Sequence, residues 1–296
     1  MWTDKLLRVI TGPTAVGKSA YAVSLARENN AEIVSCDSLL VYKHANIGTA
    51  KPTPAQMCGV KHHCIDLVEP WENFDVARYI DAAAEAIHSI HSRRKNVIVV
   101  GGSGFYLKSF YRPVTDCIKI PKCVEDFVEE EYAASGMEGI VTKLIDANGG
   151  SCPSVDIKNP RRVMSALKRC LASGRTHDEI KGEFMALSSP FSDYQKHTIL
   201  LERDDESLRK LAFERAKKMI ADGLIEEVQS LLSSGLRPSD SVLNAIGYRE
   251  TIGWLADATP EDELLHKIFR STMGLVKKQK TWFRSQIPID EKISLR

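Results

Sequence analysis

The stretch Gly12-Pro-Thr-Ala-Val-Gly-Lys-Ser19 constrains this chain more than any other. It has the form G-x-x-x-x-G-K-S, a loop whose backbone N–H groups close around phosphate oxygens. Such a loop needs a strand before it and a helix after it, and both flanks comply. Leu6-Leu-Arg-Val-Ile10 is an apolar, strand-like run, and Ala20 to Arg27 reads as a helix. Gly12 and Gly17 permit the tight turn, and the start of the next helix adds a positive dipole end. Thr14, Ala15 and Val16 fill the loop, Lys18 brings a mobile charge, and the Ser19 hydroxyl is placed to ligate Mg²⁺. The plain alternative is a Gly-rich turn that binds nothing. With every fixed position filled in the right context, the phosphate site is the stronger reading. Which phosphate compound it holds stays open.

The same strand–helix rhythm continues to about residue 112. Ala31 to Cys36 reads as a second strand ending at Asp37-Ser38, and residues 75 to 94 read as a helix with Ala77, Ile80, Ala84 and Ile87 on one face. Asn96 to Val100 is a third strand, followed by Gly101-Gly-Ser-Gly104. This alternation implies a parallel sheet with right-handed crossovers, in which ligands gather at the carboxyl ends of the strands. The phosphate loop, Asp37-Ser38 and Gly102-Ser103 therefore share one rim. From about residue 113, Pro and Gly punctuate segments that otherwise look helical, clearest at 123–134 and 160–172. A short strand returns at 198–202, followed by long helices near 205–222 and 261–284. The expected architecture is α/β: a P-loop NTPase-like core of residues 1–112 and 198–296, its parallel sheet flanked by helices, interrupted by an all-helical insertion at 113–197.

Composition excludes little, at 43% hydrophobic and 27% charged residues over 296 positions. The net charge of +1 means that a nucleic-acid partner must be met by a local basic face. No apolar run is long enough to span a bilayer, so no membrane association and a cytoplasmic location are expected. The seven cysteines are scattered and odd in number, for which reduced thiols are the default. Cys58, His62, His63 and Cys64 form one candidate metal cluster, but Cys-x₅-Cys with adjacent histidines is not a usual zinc spacing.

Three further features could carry chemistry. Asp37 ends a strand on the phosphate rim, where it could hold Mg²⁺ or accept a proton from a nucleophile. Nucleotide-hydrolysing loops of this kind usually have an Asp after a later apolar strand, where this chain has Gly101-Gly102. That weakens an ATPase or GTPase reading and leaves room for a diphosphate as leaving group. Arg215 lies on an apolar stripe with Leu208, Leu211, Ala212 and Met219, so it either snorkels or pairs with a carboxylate, or it steadies a leaving diphosphate. In the last helix Lys277, Lys278, Lys280 and Arg284 lie beside Trp282 and Phe283, which suits a nucleic-acid backbone or a solvated face. Asn159-Pro-Arg-Arg162 opens an insertion helix with two adjacent cations, fit for phosphate or for solvent.

Taken in order, these motifs resemble the tRNA dimethylallyltransferases (tRNA isopentenyltransferases) of the short bacterial type. The matching pieces are Gly12 to Ser19, Asp37-Ser-Leu-Leu-Val-Tyr-Lys43, Ile47-Gly-Thr-Ala-Lys-Pro52, His62-His63 with Ile65-Asp66, Gly101-Gly-Ser-Gly-Phe-Tyr106, Asn159-Pro-Arg-Arg162, Ala245-Ile-Gly-Tyr248 and Lys278-Gln-Lys-Thr-Trp-Phe-Arg284. The resemblance implies transfer of a dimethylallyl group from dimethylallyl diphosphate to N6 of the adenine 3′ of a tRNA anticodon. It implies that Gly12 and Thr14 to Ser19 hold the diphosphate with Mg²⁺ on Ser19. Asp37 is then the general base, and Lys18, Ser19 and Arg215 complete the catalytic set. It further implies that Asp37, Ser38, Leu39, Leu40 and Ser103, with Asn159, Pro160, Arg161, Arg162 and Val163 of the insertion, meet the anticodon stem-loop. Lys278 and Arg284 are expected to join them, and a monomer is the expected state. Transfer to free adenine nucleotides and a small-molecule kinase are the rivals. Four positions depart from the family pattern: Ser19 and Ser103 stand where members often carry threonine, which keeps the hydroxyl, and Glu125 and Leu211 stand where many members carry arginine.

Overall fold

A computed structural model describes residues 5–295 apart from 117, 239, 258 and 259. The chain divides into two compact units, one of residues up to Tyr111 and from Ser189 onward, the other Arg112–Ser188.

The larger unit begins as its sequence suggests. Strand β1 (Leu6–Thr11) runs into the phosphate loop and helix α1 (Lys18–Glu28), then into β2 (Ala31–Cys36). A short α2 (Pro54–Met57) and β3 (His62–His63) precede α3 (Val76–Ser92), β4 (Asn96–Gly101) and α4 (Gly104–Lys108). The smaller unit contributes α5 (Lys122–Ala147), α6 (Pro160–Ser173) and α7 (His177–Ala186). The larger unit resumes with β5 (Gln195–Glu202), α8 (Asp205–Ala221), α9 (Leu224–Ser233), α10 (Tyr248–Asp257), α11 (Glu261–Phe283) and β6 (Glu291–Ser294).

The six strands form one sheet in the order β3-β2-β4-β1-β5-β6, with every described pairing parallel. Both faces of such a sheet are covered, so its central strands carry near-continuous apolar runs; all six residues of β2 are buried. Strand β5 starts three residues before the apolar run 198–202 because Gln195 to His197 pair with Leu6 to Arg8. Strands β3 and β6 are edge strands without an apolar signature. The four residues of β6 are mostly exposed, and only pairing with β5 makes them a strand.

One charge sits inside this sheet. Glu32 of β2 is 2% exposed and receives hydrogen bonds from His63, Arg93 and Lys95 at 2.7, 2.7 and 2.9 Å. Burial opposes its ionisation most strongly, yet the three donors together hold its carboxyl at about 2. The structure gives Cys58, His62, His63 and Cys64 different surroundings. His63 serves Glu32, His62 Nδ1 bonds the Val60 carbonyl, and Cys58 is exposed while Cys64 is buried. Among the described residues no three His, Cys, Asp or Glu side chains converge on a metal position.

The smaller unit is helical throughout, apart from its connections. Val128, Ile140, Leu144, Val163, Ala166, Leu167, Cys170 and Ile180 form its core. Helix α5 is longer than the predicted 123–134 because it resumes after a break at Gly136, whose φ of 64° no helix interior accepts. Asn159 caps α6 by accepting from the Arg162 N–H, Pro160 fills the first turn and Gly174 ends it in the left-handed region. Among the described residues, no helix is long and apolar enough to cross a membrane.

Candidate active site

The sheet order brings the three rim loops together. Strands β2, β4 and β1 are neighbours, so Asp37, Gly102 and Gly12 leave adjacent carboxyl ends. The ends of β2 and β4 are level, Cys36 opposite Gly101, and the backbones are close: a Cβ on Gly101 would lie 1.9 Å from the Cys36 carbonyl oxygen. Only glycine fits there, which explains why the position after Val100 carries no side chain for a metal.

The phosphate loop is held open from three directions. Arg215 Nη1 donates to Thr14 Oγ1 at 3.0 Å. The Thr14 N–H donates to Gln279 Oε1 at 2.8 Å, and Gln279 Nε2 donates to the Gly102 carbonyl at 3.0 Å. Lys18 Nζ turns back over its own loop onto the carbonyls of Gly12 and Pro13, at 3.0 and 2.9 Å. Gly17, at φ 107°, caps α1 without a side-chain bond, so the first N–H groups of the helix are aimed by the backbone alone. Desolvation pushes the Lys18 ammonium down to about 8, neighbouring Arg215 pushes in the same direction, and Asp37 opposes both. Desolvation also lowers Arg215, against Asp37. Two cations held close in a dry site are relieved by an anion placed between them.

A cavity of about 590 Å³ opens beside this cradle, lined wholly by the larger unit. Thr14, Lys18 and Arg215 line it together with Asp37, Ser38, Leu39 and Ser103. Its remaining wall is largely apolar: Tyr106, Ala212, Ala216, Met219, Ile246, Ile268, Leu275 and Trp282. One Asp37 oxygen accepts from the Leu39 N–H at 2.9 Å, which fixes the carboxylate's turn. Ser103 Oγ accepts from the Ser38 N–H at 3.0 Å, tying the Asp37 loop to the Gly102 loop. A small adjoining cavity is shared by Ser19, Lys18, Ser35, Asp37 and Leu40. The arrangement can bind a diphosphate, bury an apolar group and offer a carboxylate to a proton.

Other expected residues scatter. On α8 the buried stripe is Leu208, Ala212, Ala216 and Met219; Leu211 is 38% exposed and leaves the stripe. Arg215 meets Thr14, and among the described residues no ion pair of Arg215 is found. The basic face of α11 divides. Lys278 is exposed at the cavity rim, Lys280 pairs with Asp205, and Arg284 lines a separate cavity near the ends of β5 and β6. In the smaller unit Arg161 and Arg162 are exposed, with Arg162 3.4 Å from Asp156. Val163 is fully buried in that unit's core, so a tRNA contact through its side chain is ruled out. Glu125 lies 3.8 Å from Lys122 on the first turn of α5. Gln279 was visible only as part of a matching motif. Its bridging role needs α11 laid across two loops that are distant in sequence.

Fold and site together define the class: a phosphate-loop α/β protein in which the loop lysine, an arginine and a rim carboxylate line one largely apolar cavity. Residues 40–286 match the IPP transferase family. The chain is 44% identical over 287 residues to a tRNA dimethylallyltransferase of Opitutus terrae, covering 97% of this chain and 92% of that one. It superimposes on the crystal structure of the tRNA isopentenylpyrophosphate transferase of Bacillus halodurans with a TM-score of 0.70 and 31% identity, covering 98% of this chain and 90% of the other. A eukaryotic dimethylallyltransferase acting on tRNA shares the fold, with a TM-score of 0.83 at 24% identity over 98% of this chain and 74% of that one. This chain belongs to the IPP transferase family.

Proposed function

We propose that this chain is a tRNA dimethylallyltransferase, moving the dimethylallyl group of dimethylallyl diphosphate to N6 of the adenine 3′ of the anticodon. The observation that carries this reading is that Asp37, Thr14, Lys18 and Arg215 line one cavity whose remaining wall is largely apolar. In the reaction the allylic C–O bond breaks, an N6–C bond forms, diphosphate leaves and N6 loses a proton. The phosphate-loop N–H groups, Lys18 and Arg215 stabilise the negative charge that develops on the diphosphate. Asp37 accepts the N6 proton. The apolar wall shelters the allyl group from water while positive charge builds on its carbon.

The residues present fit Mg²⁺. Ser19 and Asp37 place oxygen donors in the small cavity by the loop, and no all-protein cage exists among the described residues. Mg²⁺ is commonly held by one or two protein oxygens plus phosphate and water. Ser19 Oγ would hold it, and the ion would neutralise charge on the leaving diphosphate.

The acceptor is a base that must leave its stack to reach a cavity of this kind, which a single-stranded anticodon loop permits. Ser38, Leu39, Leu40 and Ser103 are assigned to the flipped nucleotide. Lys278 at the rim and the exposed Arg161 and Arg162 of the helical unit are assigned to the tRNA backbone. A cytoplasmic location follows from this substrate.

Labelled dimethylallyl diphosphate and Mg²⁺ with either unmodified tRNA or AMP tests the proposal. Label is expected on tRNA and not on AMP. Good transfer to AMP with none to tRNA overturns the acceptor, and phosphate release from ATP without transfer overturns the chemistry.

A further inference from the structure

The turn at 47–50 supplies part of the cavity wall. Gly48 and Thr49 line it, from a loop with no helix or strand of its own. Met219 stands beside it, one helical turn, about 5.4 Å, beyond Arg215; a Cβ on Gly247 would lie 3.3 Å from Met219 Cε and 3.7 Å from the Gly48 carbonyl oxygen. A group that extends along α8 from a diphosphate seated at Thr14, Lys18 and Arg215 meets Met219 and this stretch.

The stretch makes its own turn bonds, Ala50 N–H to the Ile47 carbonyl, Lys51 N–H to that of Asn46 and Thr49 Oγ1 to that of Ala45, and one carboxylate from outside gathers its leading amides. Glu227 of α9 accepts from three successive backbone N–H groups: Asn46 at 2.9 Å, Ile47 at 2.9 Å and Gly48 at 3.0 Å. The hydroxyl of the buried Tyr248 donates to the same carboxylate at 2.7 Å. Three convergent N–H groups form an anion-binding concavity, and here a side chain of the protein occupies it. The contact below is equally close. A Cβ on Gly48 would lie 2.4 Å from the Tyr248 ring, so the backbone rests directly on the residue that helps hold Glu227. Charge-assisted hydrogen bonds of this kind are roughly twice as strong as neutral ones, and four of them on one carboxylate leave the loop little freedom.

We propose that Glu227 is a positioning residue that sets the Gly48–Thr49 wall against the dimethylallyl group of the donor, with Tyr248 as its support. The assignment of the donor rests on the proposed function. Glu227 touches neither diphosphate nor acceptor, so its effect falls on the part of the donor that inorganic diphosphate lacks. Glu227→Gln keeps the shape but removes the charge and turns an NH₂ group toward N–H donors, which cannot pair with it.

The experiment compares wild type with Glu227→Gln in two ways. Hydrogen exchange of the 46–48 amides reads the clamp directly and needs no activity. Faster exchange confined to these amides is expected, and unchanged protection overturns the clamp. Steady-state transfer to tRNA reads the positioning. The KM for dimethylallyl diphosphate is expected to rise about tenfold, as an unpaired polar group costs on that scale. The Kd for inorganic diphosphate and the KM for tRNA stay within about twofold, on the same reasoning. Unchanged kinetics despite faster exchange, or an equal rise for inorganic diphosphate, overturns the positioning role, since a merely structural loss would lower kcat in proportion to folded protein. Should wild type fail to modify tRNA, the proposed function falls while the exchange result still decides the clamp.

Discussion

With diphosphate bound as proposed, the Lys18 ammonium makes that binding pH-dependent in a direction that can be worked out. Its proton is held at about 8, against an ordinary 10.5, first by desolvation and then by Arg215. That difference of about 2.5 units, at about 1.4 kcal/mol each, means the charged form costs about 3 kcal/mol in the free site. A diphosphate beside it adds opposite charge and returns the pKa towards its ordinary range. Binding therefore takes up a proton wherever free Lys18 has lost it. Affinity for dimethylallyl diphosphate should be flat between about pH 7 and 8, where the ester's own ionisation is complete, then fall about tenfold per unit. The folding sign is opposite. Between about 8 and 10.5 the unfolded chain still holds the proton that the folded chain has released, so the Lys18 contribution to stability rises with pH. Calorimetric titration in two buffers of different ionisation enthalpy measures both affinity and proton uptake. A wild-type affinity unchanged to about pH 10, or the same fall in Lys18→Met, would refute the argument.

Three other outcomes are expected. Asp37→Asn keeps the hydrogen bond to Leu39 but loses the base, so the transfer rate should fall about 10²- to 10⁴-fold with diphosphate binding intact; near-wild-type turnover would remove Asp37 from that role. Glu32 is held at about 2 against an ordinary 4.5, so its contribution, about 3 kcal/mol, is complete above about 4.5 and is lost as pH falls through about 2. Glu32→Gln should flatten that part of the acid-unfolding curve, and an unaltered curve would show that Arg93, Lys95 and His63 do not depend on its charge. Gly101→Ala forces a Cβ into the Cys36 carbonyl and should cost about 3 kcal/mol or more in denaturant unfolding; a loss below about 1 kcal/mol would mean that the two strands separate easily at the rim.

The local pieces of this protein were legible in its sequence because they obey short-range rules. The apolar run before Gly12, the glycines of the loop and the helical periodicity of 75–94, 205–222 and 261–284 each report a conformation set within a few residues. Alternation of those pieces was enough to imply the parallel sheet and the rim that Asp37 shares with the phosphate loop. What a residue does once it reaches the rim is another matter. Leu211 was grouped with the buried stripe of α8 and lies outside it, and Val163 was grouped with its exposed neighbours and lies in a core. Strands β3 and β6 carry no pattern, because an edge strand is made by the hydrogen bonds of its neighbour.

The sequence by itself determined a glycine-rich loop between a strand and a helix, and a carboxylate on the same rim. Only the tertiary structure decided what surrounds them. Gln279 bridges Thr14 to Gly102, Arg215 answers Thr14, and Glu227 gathers three amides from the 46–48 loop with Tyr248 beneath. These contacts join segments up to 265 positions apart. Backbone amides are the same at every residue, so nothing in the local sequence marks which of them a distant carboxylate or amide will find. Packing of α8, α9 and α11 onto the rim makes that choice.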